Sequence, residues 1–133
     1  MSMPRKPPPK TIETGRAGEK LAVRALKRAG YQVLATNFRA RGGEIDVVAE
    51  HNGTLVFVEV KTRASDSFAS PVLAVNYGKR EKLVRAAWYF LKSHSATSRD
   101  CRFDVVSIVT GGQNRRPKIE IIPDAFQVDI RCY

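Results

Sequence analysis

Residues 43–62 read GEIDVVAEHNGTLVFVEVKT, and this stretch decides the fold. Asn52 and Gly53 separate two runs rich in β-branched residues. This pattern is typical of a β-hairpin with a two-residue turn, because Asn and Gly both accept a positive φ. Counting outward from such a turn places Asp46 opposite Glu59. The sequence therefore predicts an antiparallel hairpin that brings two carboxylates together.

Charged side chains share one face of this predicted hairpin, because side chains alternate along a strand. They are Glu44, Asp46, Glu59 and Lys61. Opposed residues have Cβ atoms roughly 4.5–5.5 Å apart, where two acids repel each other and one carboxyl pKa rises. A divalent cation between the acids removes this conflict, and oxygen ligands suit Mg²⁺ or Mn²⁺. The alternative is a solvated face on which both acids point into water. Residues 55–58 favour the metal site, because they are apolar on both faces and indicate a covered strand.

Composition indicates a single basic globular domain. The chain has 133 residues, 43% of them hydrophobic, which is enough for a core. The formal net charge of +10 predicts attraction to polyanions, chiefly nucleic acid, although many basic proteins bind nothing specific. Cys101 and Cys132 lack a metal-binding or redox spacing, so a reducing cytoplasm is the simplest location. We expect no membrane association, because no apolar run approaches the ~18 residues of a membrane span, and no secretory signal.

The chain divides into a short tail and one domain. Residues 1–12 are predicted to form a disordered basic tail, since their prolines favour extended backbone, and residues 13–133 a single domain. Besides the hairpin, hydrophobic periodicity predicts helices over 15–29 and 76–93, a loop over 63–75, and strands over 31–38, 102–110 and 118–122. The resulting order predicts an α/β fold with a central mixed sheet flanked by helices.

Basic residues lie close in sequence to the predicted carboxylate pair. The candidates for contact with nucleic acid are Arg39, Arg41, Arg63, Lys79, Arg80 and Lys82. Solvated loop and helix charges explain them equally well at this point. Glu19 is the only acid on the first predicted helix, where the helix dipole favours it. It becomes a candidate ligand if a metal site lies nearby. His51 and His94 are poor catalytic candidates, because one lies at the turn and the other near a helix end.

Several stretches together resemble the YraN family of small bacterial proteins, within the PD-(D/E)xK nuclease superfamily. The matching stretches are residues 15–19 (GRAGE), 37–39 (NFR), 43–46 (GEID), 57–63 (FVEVKTR), Lys79 and 101–106 (CRFDVV). The superfamily motif falls on Asp46, Glu59 and Lys61, and Ile45 stands where the motif usually has proline. The resemblance implies a restriction-endonuclease-like αβββαβ core. A glutamate on the first helix, here Glu19, is similar to that of archaeal Holliday-junction resolvases.

The resemblance also implies roles for individual residues. Asp46, Glu59 and the Val60 carbonyl are expected to hold Mg²⁺ or Mn²⁺, with Glu19 joining directly or through water. Lys61 is expected either to orient the attacking water or to stabilise the phosphorane. An ammonium beside two carboxylates should stay protonated, and this expectation favours the stabilising role.

The leading hypothesis is therefore a metal-dependent nuclease that hydrolyses phosphodiester bonds in DNA. The likeness to the resolvases extends this expectation to branched DNA and to a homodimer. A second hypothesis is a nucleic-acid-binding module on a nuclease fold with little or no catalysis. A third is a protein-interaction role in which the basic charge is incidental.

Overall fold

The computed structural model describes residues 10–40, 42–64, 77–111 and 116–128. Its elements in chain order are α1 (Lys10–Arg28), β1 (Gln32–Ala40), β2 (Gly43–His51), β3 (Thr54–Arg63), α2 (Tyr77–Ser93), β4 (Cys101–Val109) and β5 (Lys118–Phe126). The five strands form one sheet in the order β1-β2-β3-β4-β5. β3 and β4 run parallel, and the other neighbours are antiparallel. The predicted fold class, a mixed sheet flanked by helices, is confirmed.

The two helices cover opposite faces of the sheet. Leu83 and Leu91 of α2 belong to the same buried cluster as Phe57 of β3. Leu26 of α1 belongs to a second cluster with Val58, the next residue of β3. Because neighbouring residues of a strand point to opposite faces, β3 is covered on both sides, as its apolar sequence predicted. A parallel strand pair requires a crossover connection, and α2 lies in the crossover between β3 and β4.

The hairpin turn is where the sequence placed it. Asn52 has φ 50° and Gly53 has φ 81°, the left-handed conformations that a two-residue hairpin turn requires. The register runs from His51 opposite Thr54 to Val47 opposite Val58. The register prediction is therefore confirmed as far as Val47.

Element boundaries differ from the prediction by more than two residues at two places, the start of α1 and the end of β5. Residues 10–12, predicted as part of the disordered tail, belong to α1, which begins directly after the last proline of the tail. β5 continues to Phe126 because the Phe126 ring stacks on Phe103 of β4 at 5.0 Å between ring centroids. The rest of the predicted tail (residues 1–9), most of the predicted 63–75 loop and Arg41 lie outside the described residues. Within the described part of the chain, neither helix combines the length and hydrophobicity that crossing a bilayer requires.

A close approach between β2 and α2 gives a first prediction. A Cβ atom added at Gly43 would collide with the main-chain carbonyl oxygen of Lys82. We expect Gly43→Ala to lower the free energy of unfolding by about 1–3 kcal/mol, because α2 must move away from the sheet. Urea unfolding measures this loss. The control is the Gly43→Ala, Lys82→Ala double variant, which should be no more stable than Gly43→Ala. Recovery in the double variant would show that the Lys82 side chain, not the backbone, causes the clash.

Candidate active site

The end of the β2–β3 ladder creates the central feature of the site. The ladder stops at Val47–Val58, so the two strands are no longer paired where Asp46 follows. An Asp46 carboxylate oxygen there accepts a hydrogen bond from the Val60 N–H at 2.8 Å. Asp46 and Glu59 are thus not a ladder pair, but both line one cleft, and the charge of Glu59 acts on Asp46. The predicted meeting of two acids is found, with Val60 beside them.

The environment of Asp46 favours its neutral form. Burial, followed by repulsion from the Glu59 carboxylate, raises the pKa of Asp46 from 3.8 to about 8. The Val60 N–H opposes this shift, since it stabilises the charged form. Without a cation, the Asp46–Glu59 pair therefore binds a proton at higher pH than an isolated carboxyl group does. A divalent cation next to the pair would release that proton.

Glu59 is the second acid of the pair and is 4% exposed. One of its carboxylate oxygens lies 2.7 Å from the Nζ of Lys79, at the start of α2. Burial tends to lower the pKa of Lys79, but the hydrogen bond and attraction to Glu59 outweigh it and raise this pKa. Lys79, which the sequence suggested as a phosphate contact, is thus an ion-pair partner of the acidic pair. Lys79 stays charged as a result.

Lys61, which is expected to stay protonated, lies beside a second ammonium as well as the two carboxylates. Burial lowers the pKa of the Lys61 ammonium, and the hydrogen bond and charge of Lys79 lower it further. Attraction to Glu59 and Asp46 acts in the opposite direction but is smaller. The expectation counted only the two carboxylates and not the Lys79 ammonium, which acts against them; that Lys61 is protonated at neutral pH stays a prediction. Lys61 therefore gives up its proton more readily than an ordinary lysine.

Two further acids lie apart from the pair. The Glu19 carboxylate accepts a hydrogen bond from the Asn37 side chain at 2.9 Å and acts on Asp46 only by charge repulsion. Glu44 lies opposite Arg39 on β1, 3.9 Å from its guanidinium. Among the described residues, no three Asp, Glu, His or Cys side chains are close enough together to form a metal site. Asp46 and Glu59 therefore offer a cation two carboxylates, while Glu19 is bound to Asn37 and Glu44 lies beside Arg39.

A cleft of about 570 Å³ opens above the acidic pair. Asp46 and Glu59 line it together with Arg39, Lys79 and Lys82. Glu44 lines the cleft as well, so the cleft combines three acids with three cationic side chains, an arrangement suited to a phosphate and a bound cation.

Two other predicted phosphate contacts do not line this cleft. The Arg80 guanidinium lies over the Phe126 ring, 4.9 Å from its centroid. Arg63 ends β3, where its main-chain carbonyl accepts the Thr110 N–H. Arg80 therefore contacts β5, whereas Lys79 and Lys82 of the same helix line the cleft.

A second basic surface was not among the predicted contacts. Basic side chains of α1 line a groove of about 510 Å³ against β1, namely Arg16, Lys20, Arg24 and Lys27. Their helical spacing was visible in the sequence. Their position against β1 was not, because it depends on how α1 packs on the sheet.

The pKa of Asp46 predicts how stability depends on pH. Because its pKa in the folded state, about 8, lies above the ordinary 3.8, the folded state binds the extra proton between these values. The free energy of unfolding should therefore fall as pH rises through this window. In EDTA, we expect the free energy of unfolding of wild type to fall between pH ~5 and ~8. The fall should exceed that of Asp46→Asn by more than ~1 kcal/mol. Denaturant unfolding across pH measures this, with exposed Asp100→Asn as the control that behaves like wild type. Parallel curves for wild type and Asp46→Asn would contradict it.

Comparison with known proteins identifies a family whose model matches most of the chain. A family model described as "Uncharacterised protein family UPF0102" matches residues 18–108. Among similar proteins, a UPF0102 protein of Caldicellulosiruptor bescii is 47% identical over 115 residues, which cover 86% of this chain and 97% of the relative. One of Geobacter metallireducens is 47% identical over 114 residues, 86% of this chain and 92% of the relative. One of Chlorobium chlorochromatii is 42% identical over 127 residues, 92% of this chain and 98% of the relative. The matched span runs from α1 to β4 and contains every residue of the cleft.

Proposed function

The chain belongs to the uncharacterised protein family UPF0102, and from the geometry of its cleft we propose that it is a metal-dependent nuclease acting on DNA. The observation that carries the proposal is that half-buried Asp46 and buried Glu59 line one cleft, where burial and repulsion by Glu59 raise the pKa of Asp46 to about 8. A pair that is costly in the free protein is explained if a cation binds it during function. The basic wall of the cleft supports a phosphate substrate.

The donor set fits Mg²⁺ or Mn²⁺. These ions are commonly bound by one or two carboxylates and complete their coordination with water and substrate phosphate oxygens. Asp46 and Glu59 would hold the ion, and the Val60 carbonyl and Glu19 remain proposed additional ligands. When bound, the ion lowers the pKa of water and neutralises phosphate charge.

Two lysines close to the acidic pair, Lys61 and Lys79, divide the remaining work. The lowered pKa of Lys61 suits a group that takes a proton from the attacking water at its Nζ. Lys79 keeps its charge and can stabilise the negative charge that develops on the phosphate. Arg39 and Lys82 line the same cleft and would position the phosphate backbone.

One observation favours a second function, the binding of nucleic acid without cleavage. The Lys79 ammonium lies 2.7 Å from Glu59 and already neutralises one of the two acids. If this ion pair persists in the presence of metal, the basic surfaces would bind DNA and the acidic pair would be structural. Proteins of one fold often differ in this way.

A cleavage assay separates the two functions. Linear duplex, flapped and four-way-junction DNA are incubated with Mg²⁺ or Mn²⁺, and parallel reactions contain EDTA. The nuclease proposal predicts metal-dependent products that are absent in EDTA and with Asp46→Asn, while this variant still binds DNA. Salt-sensitive binding with no product on any substrate would favour the second function.

A further inference from the structure

The basic row of α1 lies on the side of the sheet away from α2, which carries Lys79 and Lys82. Arg16, Lys20, Arg24 and Lys27 are spaced by four, four and three residues and therefore lie on one side of the helix. At 1.5 Å rise per residue the row extends over about 16 Å. This length and charge make it a surface for an extended polyanion, not for a single small ion.

The groove beside this row is polar where it meets the sheet. Thr36 and Asn37 of β1 form that wall, and Glu19 is the one acid among its lining residues. The Glu19 carboxylate accepts the Asn37 side-chain N–H at 2.9 Å and so is turned toward the strand. Four cations against one such acid leave the groove strongly positive.

β1 joins this groove to the cleft. Thr36 and Asn37 line the α1 groove, and Arg39 and Ala40 line the cleft above Asp46. At about 3.3 Å per residue, Asn37 and Arg39 are roughly 7 Å apart along the strand. β1 is also the edge strand of the sheet. One polymer can therefore pass over this edge and contact both openings.

The charge pattern fits a sugar-phosphate backbone. Each DNA strand presents a phosphate about every 3.4 Å of helix axis, so a 16 Å row faces about five phosphates of one strand. We propose that the α1 groove binds the backbone of a second segment of the same DNA whose first segment lies in the cleft. This inference rests on the nucleic-acid substrate of the proposed function but not on its chemistry. It implies a substrate long enough to cross the β1 edge.

Matched charge reversals test the groove. Lys20→Glu, Arg24→Glu changes two lining residues, and Arg28→Glu, Arg85→Glu changes two exposed residues that line neither opening. Both variants alter the net charge equally. Binding of a ~20 bp duplex is measured by fluorescence anisotropy in EDTA at several salt concentrations. We expect the groove variant to bind at least about tenfold more weakly at ~100 mM salt and to lose about two units of salt slope. The control should lose less than about threefold.

Two results of this binding experiment would overturn the inference. Equal losses in the two variants would show a net-charge effect, and wild-type affinity in the groove variant would show that the groove makes no contact. Lys20→Gln, Arg24→Gln tests the same point if the charge reversal fails to fold, with a smaller loss in the same direction. The assay contains no metal, so missing cleavage overturns only the nuclease proposal. Wild type that binds no duplex at ~50 mM salt overturns both.

Discussion

Replacing Lys61 by alanine is expected to slow DNA cleavage by about 10²- to 10⁴-fold, the usual loss on removing a general base. DNA affinity should change by less than about threefold, because Lys61 is one of many cations on a chain of net charge +10. The reason lies in its environment: burial and Lys79 lower the pKa of Lys61, the direction that favours the proposed role of proton acceptor. Single-turnover cleavage and anisotropy binding measure the two quantities.

Two variants control this prediction. Lys92→Ala removes a lysine whose ammonium lies over the Trp88 ring, 5.6 Å from its centroid, and should leave cleavage unchanged. Lys61→Arg keeps the charge, but a guanidinium does not lose its proton in proteins, so this variant should be about as inactive as Lys61→Ala. Near wild-type cleavage by Lys61→Arg would contradict a proton-accepting role and restore the stabilising one.

Replacing Lys79 by alanine is expected to have two opposite effects. The Lys79 ammonium competes with a metal ion for Glu59, which it contacts at 2.7 Å. Removal of this charge-assisted hydrogen bond, typically about 1.5–3 kcal/mol, should raise Mn²⁺ affinity roughly 10- to 100-fold. In EDTA the same change leaves Glu59 buried without its cation, so the free energy of unfolding should fall by about 3 kcal/mol or more. Calorimetric titration and urea unfolding measure the two effects.

Lys82→Ala is the matched control for Lys79→Ala. Lys82 lines the same cleft. Among the described residues, the ion-pair partner of Glu59 is Lys79 and not Lys82. Its removal should change Mn²⁺ affinity by less than about threefold. Weaker Mn²⁺ binding by Lys79→Ala would contradict competition and favour the structural ion pair of the second function.

The sequence predicted those parts of the site that depend on local structure. Asn52-Gly53 specifies a turn, the turn specifies a register, and the register brings Asp46 near Glu59. Alternation of apolar residues predicted a strand covered on both sides. These features need only a few neighbouring residues, so one sequence is sufficient to predict them.

Features that depend on tertiary packing were not predictable in the same way. The β2–β3 ladder ends before Asp46, so Asp46 does not lie directly opposite Glu59. Its carboxylate instead accepts a hydrogen bond from the Val60 N–H. Lys79 reaches Glu59 only because α2 lies in the crossover to β4, and this contact in turn lowers the pKa of Lys61. Glu19 binds Asn37 because α1 packs against β1. Each contact joins segments that are far apart in the chain.

The central claim is that Asp46 and Glu59 together bind a divalent cation, and a calorimetric titration with Mn²⁺ tests it directly. The titration uses metal-free wild type and Asp46→Asn at pH ~8, where Asp46 is about half deprotonated in the free protein. We expect wild type to bind Mn²⁺ and to release a fraction of a proton on binding, and we expect Asp46→Asn to bind at least about a hundredfold more weakly. Equal binding by the two proteins, or no binding by wild type, would contradict the account.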